Sequence, residues 1–371
     1  MDTNKQGARV AAIVLAAGMS RRMGAPKQLL RLGGKTLLER TLENVGASQA
    51  GEVVLVLGAD AEEIQKQIST PGLKVVINPY YQQGMGSSLR TGLSAVSPRA
   101  QAALVVLADQ PFVSPATLDA LIAYHRAASP QIAIPLYRGF RGNPVLLDRS
   151  VFPELMTLSG DVGCRAIFGS HTEGIHKVPV DDIGVLLDID TAEDFREFGA
   201  EDAAVSFHLP EMESREELPA GQPELIIVGR DPVVRALARL GRVLNFTVTV
   251  VDPLLRRGEL PEADRVLRVL DFSRLPQADR FVVVASRGQC DEEAVEQALA
   301  GKAAYVALLA NKKRAQEVFA SLGNKGVSSE RLREVHAPAG LQIGAETPEE
   351  IALSILGEIV AERKHAARLS P

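Results

Sequence analysis

An uninterrupted apolar run, Val10 to Ala16, leads straight into Ala17-Gly18-Met19-Ser20-Arg21-Arg22-Met23-Gly24-Ala25-Pro26-Lys27. A short run of this kind reads as a strand buried on both faces, the kind found in parallel sheets covered by helices. The turn that follows then lies at the carboxyl end of that strand, where open α/β sheets bind their ligands. Gly18 and Gly24 let consecutive backbone N–H groups face one concavity, a nest for phosphate oxygens. Arg21, Arg22 and Lys27 bring positive charge to the same spot. Directional N–H donors combined with cations are what a nucleoside triphosphate needs as charge moves onto a leaving pyrophosphate. The pattern G-x-x-x-x-G-K-[ST] is absent, because Lys27 stands three residues after Gly24, so this is not the P-loop of an NTPase.

The same alternation continues along residues 10–195. Lys35 to Val45 reads as a helix, Glu52 to Gly58 as a strand and Ala61 to Ile68 as a helix. Lys74 to Ile77 is a strand closed by Asn78-Pro79, Ser87 to Val96 a helix, and Ala103 to Ala108 another buried strand. Ser114 is a good N-cap with Pro115 in the first helical position, opening a helix to about Arg126. The βαβα order predicts an α/β chain whose sheet is mostly parallel, with helices on both faces. Glu197 to Gln222 breaks the pattern. It holds seven acidic residues against Arg215, with Pro210 and Pro219, and reads as an acidic linker. A second α/β pattern begins at Glu224. Strands are expected at Leu225–Val228, Phe246–Val251, Phe281–Ala285 and Ala304–Leu309, with a helix over Pro232–Leu244. A last helix opens at the capping box Thr347…Glu350 and runs to about Arg363. The division expected is 1–196, a linker over 197–222, and 223–371.

Several first-half residues stand where ligand chemistry belongs. Asp109 follows a buried strand in Leu107-Ala108-Asp109-Gln110-Pro111, and since Ser114 caps the next helix, Asp109 is free of that duty. A carboxylate there is a natural Mg²⁺ ligand, with phosphates and water completing the octahedron. In Leu186-Leu187-Asp188-Ile189-Asp190-Thr191 an extended chain puts Asp188 and Asp190 on one face and Leu187 and Ile189 on the other. Thr191 with Asp194 looks like a capping pair, leaving Asp190 available as a second metal ligand. In Asn78-Pro79-Tyr80-Tyr81-Gln82-Gln83-Gly84-Met85-Gly86-Ser87-Ser88, the glycines permit close backbone approach, and Ser87 or Ser88 serves either a ligand or the helix cap.

The full string L-x-x-G-x-S-x-R-M-G-x-x-K closely resembles the molybdenum cofactor nucleotidyltransferase family, MobA-like NTP transferases. Its Leu-Ala-Ala-Gly form is similar to the cytidylyltransferase branch, since the guanylyltransferase branch carries a second glycine where Ala17 stands. The resemblance implies that Leu15, Ala16, Ala17, Gly18, Arg22 and Lys27, with Gly84, Ser87 and Ser88, bind the nucleotide. It implies catalytic roles for Arg22, Lys27 and Asp109, and favours Asp190 over Asp188 as partner of Asp109 on the metal. Two further segments match that family, Arg141-Gly142-Asn143-Pro144-Val145 and Gly160-Asp161-Val162-Gly163-Cys164-Arg165. They imply an acceptor side made of Gly142, Asn143, Pro144, Asp161 and Arg165. The activity implied is Mg²⁺-dependent transfer of CMP from CTP to molybdopterin cofactor.

Residues 224–363 resemble the C-terminal Rossmann-like domain of the xanthine dehydrogenase accessory factor family (XdhC/CoxI). The match lies in Gly288-Gln289-Cys290-Asp291-Glu292-Glu293-Ala294, Ala304-Tyr305-Val306-Ala307-Leu308-Leu309 and, longest, His336 to Ala352. This implies cofactor maturation or delivery to a client molybdenum hydroxylase. The dinucleotide fingerprint is degraded: Gly229-Arg230-Asp231-Pro232-Val233-Val234 puts Asp231 and Val234 where glycines belong. A carboxylate about 4 Å from a pyrophosphate costs roughly 4 kcal/mol per charge pair at surface-like dielectric. Pro232 also removes an N–H from the anion-binding helix end. Arg230 and Arg287 offset part of that charge, and Asp252 is placed to bond a ribose.

Composition narrows the rest. The net charge of −5 argues against a nucleic-acid partner. Cys164 and Cys290 are isolated, which excludes a disulfide framework or zinc ribbon. No apolar run reaches the roughly 18 residues of a membrane helix and Met1 to Arg9 lacks a signal-peptide core, so a cytoplasmic location is expected. Three rivals to cytidylyl transfer remain open: a nucleotidyltransferase for another acceptor such as a sugar phosphate, a non-catalytic cofactor-binding chaperone, and an NAD(P)-dependent oxidoreductase using the second domain.

Overall fold

Val10–Ala16 is a strand from which both faces of a sheet are built. In the computed structural model, which describes residues 10–19, 26–69, 72–190, 194–195, 211–214, 222–256, 258–275 and 279–369, this strand pairs in parallel with Glu52–Leu57 on one side and Ala102–Leu107 on the other. Its alternate side chains enter two separate cores. Val10, Ala12, Val14 and Ala16 join Leu38, Leu42, Val45, Leu118 and Leu121, whereas Ala11 and Ile13 join Leu89, Leu93 and Leu155. Helices Leu37–Ala47 and Pro115–Ala128 supply the first set, and Met85–Ala95 with the short helix Phe152–Leu155 the second.

The whole sheet runs in the order Ile175–Pro179, Ile132–Tyr137, Val145–Asp148, Ala102–Leu107, Val10–Ala16, Glu52–Leu57, Lys74–Ile77, with Phe140–Arg141 paired to Ile132–Tyr137. Val145–Asp148 is antiparallel to both neighbours. A second sheet runs Met212–Ser214, Arg265–Leu267, Thr247–Val251, Glu224–Val228, Arg280–Val284, Tyr305–Leu308, Val335–His336, parallel throughout except for its Met212–Ser214 edge. Helices Pro232–Val243, Asp291–Ala300, Lys312–Asn324 and Pro348–Leu369 accompany it. The chain is thus α/β with two mostly parallel sheets, as its alternation implies. By its contacts it falls into two compact units, residues 1–137 with 141–208, and residues 138–140 with 209–371. No helix among the described residues is long and apolar enough to cross a membrane.

Three local readings need correction. The helix expected from Lys35 begins at Leu37, because Lys35–Thr36 pairs with Arg31–Leu32 and Thr36 forms a capping box with Glu39. The helix expected from Ser87 begins at Met85 with Gly84 as its N-cap, so neither Ser87 nor Ser88 caps it. Inside the stretch read as linker, Met212–Ser214 is an edge strand on Arg265–Leu267. Its Glu213 carboxylate takes a hydrogen bond at 3.0 Å from Arg268, whose side chain is fully buried. The capping box Thr347…Glu350 stands as expected, with both reciprocal bonds present.

Packing around the central strands is tight at Gly92, which lies on the inner face of Met85–Ala95. A Cβ there would stand 2.5 Å from Ile13 Cγ2 and 3.1 Å from Val56 Cγ2. Both neighbours are fully buried and cannot retreat. Gly92→Val is therefore expected to destabilise the first unit by about 1–3 kcal/mol, read as a lower denaturation midpoint of the full chain. An unchanged midpoint would contradict this packing.

The second sheet contains a buried acid at the end of Thr247–Val251. Burial pushes the Asp252 carboxyl up to about 6, against the opposing effects of the Arg230 charge and a hydrogen bond from the Leu254 N–H at 2.9 Å. The burial penalty applies only to the ionised form, so stability is fully present below the usual carboxylate range and is lost as pH rises through about 6. Asp252→Asn keeps the oxygen that accepts from Leu254 but cannot ionise. Relative to that variant, the wild-type chain is expected to lose up to about 3 kcal/mol of stability between about pH 4 and about pH 7. Parallel pH profiles of the two melting temperatures would contradict it.

Candidate active site

The carboxyl ends of Val10–Ala16 and Ala102–Leu107 open into a cleft of about 900 Å³. Its floor is the main chain of Leu15, Ala16, Ala17, Gly18 and Met19, and its walls include Lys27, Tyr81 to Met85, Ser88, Asp109, Asp161, Asp188 and Asp190. The strand ends because the chain leaves the ladder at Ala17, whose carbonyl accepts from the Ala59 N–H at 3.3 Å. Among the described residues nothing lies within 4 Å of where a Cβ on Gly18 would sit.

Among the described residues of the cleft, Lys27 and the acids Asp109, Asp188 and Asp190 cluster together. Lys27 Nζ lies 2.7 Å from Asp109 Oδ2 and 2.8 Å from Asp190 Oδ1. Burial alone would lower the Lys27 pKa, but the Asp109 charge and hydrogen bonds to both carboxylates outweigh it and raise the value above that of an ordinary lysine. The ammonium is therefore firmly protonated at neutral pH. The main chain assembles the trio, since the Ile189 N–H donates to the Asp109 carbonyl at 2.9 Å and holds residues 188–190 against the end of Ala102–Leu107. Leu187 and Ile189 point inward while Asp188 and Asp190 face outward, the alternation read from the sequence. Asp188 accepts from Gln110 Nε2. Loss of hydration around the carboxyl, followed by the charges of Asp109 and Asp190, pushes it up to about 7, against the opposing effects of the Gln110 hydrogen bond and the Arg165 charge.

The structure places the other sequence-predicted residues unevenly. Gly84 lines the cleft at φ +95°, and a Cβ there would stand 2.5 Å from the Asp161 main chain, so only glycine fits. Asp161 meets it, accepting from the Met85 N–H at 3.1 Å. Ser88 lines the cleft, whereas Ser87 is buried behind it, donating to the Gly84 and Tyr80 carbonyls. Both serines accept from Asn78, at 2.8 and 3.0 Å, and Asn78 is itself fully buried. Gly142, Asn143 and Pro144 do not line the cleft. Gly142 abuts the Val185 carbonyl, and the Asn143 N–H donates to that carbonyl at 2.9 Å. Arg165 is exposed and acts on the cleft through its charge, which lowers the Asp188 pKa. Arg21, Arg22, Gly24 and Thr191 lie outside the described residues.

Two cleft residues went unread in the sequence. Gln28 follows Lys27 and is almost wholly buried; a polar residue opening the run Gln28-Leu29-Leu30 was the available signal. Tyr81 lies against Gly58 beside Ala17, and its only signal was an aromatic ring within a glycine-bounded loop.

The residues fit a divalent cation in the chemistry of their donors. Among the described residues, the buried Asp109 Oδ1 has no hydrogen-bond partner. Among the described residues no three ligating side chains are already grouped around one point, so water and a substrate's phosphates would supply the remaining oxygens.

In the second unit Gly229, at φ +121°, is closed against the Ala285 carbonyl. Asp231 caps Pro232–Val243, accepting from the Val234 N–H at 3.1 Å, and pairs with Arg287 at 3.3 Å. Its carboxylate thus occupies the helix end that a Rossmann pyrophosphate uses. Asp252 is buried and bonded to Leu254 rather than exposed for a ribose.

A family model for the MobA-like NTP transferase domain matches residues 12–175, and one for the XdhC Rossmann domain matches residues 225–359. The nicotine blue oxidoreductase of Paenarthrobacter nicotinovorans is 32% identical over 193 residues, 50% of this chain and 93% of that protein. The molybdenum cofactor cytidylyltransferase of Escherichia coli K12 is 25% identical over 186 residues, 49% of this chain and 92% of that protein. The uncharacterized protein YqeB of Escherichia coli K12 is 34% identical over 153 residues, 39% of this chain but only 28% of YqeB's own length. The chain belongs to the MobA-like NTP transferase family, its nucleotidyltransferase domain followed by an XdhC Rossmann domain.

Proposed function

We propose that the first unit transfers CMP from CTP to the terminal phosphate of molybdopterin cofactor. An oxygen of that phosphate attacks the α-phosphorus, the bond from the α-phosphorus to the bridging oxygen breaks, and pyrophosphate leaves with the electron pair. No protein nucleophile takes part, so catalysis is positioning plus charge stabilisation. The observation that carries the reading is Lys27 held between Asp109 and Asp190 at the mouth of the glycine loop.

Gly18 and the neighbouring main chain hold the triphosphate, and Arg22, from the same loop, adds charge. Asp109 and Asp190 would hold Mg²⁺, which neutralises phosphate charge when bound. With those carboxylates on a cation, Lys27 would be able to turn its ammonium to the triphosphate. Asp161, which lines the cleft beside Gly84 and Met85, belongs to the acceptor side with Arg165. Gly142, Asn143 and Pro144 shape that side from behind rather than by contact. The preference for CTP rests on the Leu-Ala-Ala-Gly form of the loop and on the cytidylyltransferase relative. The XdhC Rossmann domain supports a molybdenum cofactor as acceptor and delivery of the product to a molybdenum hydroxylase. A redox reading follows from the name of the nicotine blue oxidoreductase, but the acid at the Rossmann helix end disfavours a pyrophosphate-bearing cofactor in the second unit.

The full chain incubated with Mg²⁺, CTP and molybdenum cofactor is expected to release pyrophosphate, with CTP preferred over GTP. Asp109→Ala is expected to lower that rate by about 10²-fold or more, since it removes an electrostatic contact made in the transition state. Equal rates with sugar phosphates as acceptors would overturn the choice of acceptor. Cofactor binding without turnover, or nicotinamide oxidation in place of pyrophosphate release, would overturn the reaction.

A further inference from the structure

The side chain of Gln28 is buried beneath the glycine loop, 2% exposed, in the short turn Lys27–Leu29. Its Nε2 donates to the Ala16 carbonyl at 3.1 Å and to the Gly18 carbonyl at 3.2 Å. The carbonyl between them, on Ala17, accepts from the Ala59 N–H. Three consecutive carbonyls at the exit of the central strand are thus held from the protein side. This matters for an anion. A carbonyl oxygen turned toward the cleft would repel phosphate oxygens, whereas the N–H groups of the same peptides attract them. A primary amide is suited to this position because one nitrogen carries two N–H donors without a charge. Methionine or leucine in its place would remove the donor to the buried Ala16 carbonyl and to the partly buried Gly18 carbonyl, and glutamate would set an acceptor against two acceptors.

We propose that Gln28 is a positioning residue that fixes the orientation of residues 16–18, so that the loop meets a triphosphate with N–H groups alone. The inference rests on the reading that this loop holds the triphosphate. It also accounts for a polar side chain in the otherwise apolar turn behind Lys27. Because Gln28 and Lys27 are consecutive, the same short turn places both the loop's scaffold and the ammonium between the acids.

The test compares CTP with CMP, which lacks the β- and γ-phosphates. Binding of each to the full chain with Mg²⁺ is measured by calorimetry for wild type, Gln28→Met and Gln28→Glu, two near-isosteric changes that remove both donors, with melting temperatures recorded alongside. The wild type is expected to prefer CTP over CMP. Both variants are expected to lose at least about tenfold of that preference while CMP affinity changes by less than about threefold. A preference for CTP unchanged in either folded variant overturns the role. Equal losses of CTP and CMP binding also overturn it, because they mark Gln28 as a packing residue only. A wild-type chain that binds CTP no better than CMP instead overturns the triphosphate reading, and this inference with it.

Discussion

Lys27 stands between Asp109 and Asp190 at 2.7 and 2.8 Å, and three separate segments meet at that ammonium. Lys27 closes the loop that leaves the central strand, Asp109 ends the neighbouring strand, and Asp190 arrives on a segment pinned to Asp109 through the Ile189 N–H. An exposed ion pair contributes little. Here the lysine is largely screened from water, and its positive charge offsets two acids that would otherwise repel each other and Asp188. Asp109 and Asp190 raise the Lys27 pKa, and their charges add to the effect of burial in raising that of Asp188. Such a cluster is poised for polyanion chemistry, because a cation and a triphosphate arriving together satisfy both signs of charge at once.

Much of this was legible before any coordinates. The run Val10–Ala16 is apolar at every position, as a strand covered on both faces must be; Ala102–Leu107 shows the same pattern, and Glu52–Leu57 shows it after its first residue. The position of Asp109 followed from strand polarity, and the outward pairing of Asp188 with Asp190 from alternation. Val145–Asp148 was not recognised as a strand, because a four-residue antiparallel insertion carries no long periodic signal. The early start of Met85–Ala95 was hidden because Gly84, which most often disrupts a helix, serves here as its cap. The role of Gln28 was equally hidden, since which carbonyl a buried amide reaches depends on tertiary placement and not on local pattern.

The two units use the same layered architecture differently. In the first, the strand ends carry glycine, lysine and acids around an open cleft. In the second, the equivalent turn is closed by Gly229 against Ala285 and by Asp231 on its own helix, and Asp252 is folded inward. A Rossmann-like sheet therefore persists without the open, cationic turn that usually accompanies it. This contrast favours the first unit as the place of the proposed phosphate chemistry.

The central claim is that Asp109 and Asp190 release Lys27 to a nucleotide when they take up a divalent cation. Anomalous diffraction from crystals of the full chain grown with Mn²⁺ and a non-hydrolysable CTP analogue tests it directly. The account predicts a manganese peak bound by both carboxylates and Lys27 Nζ moved onto phosphate oxygens. Lys27 still bridging the two acids with the analogue bound, or manganese bound away from them, would contradict it.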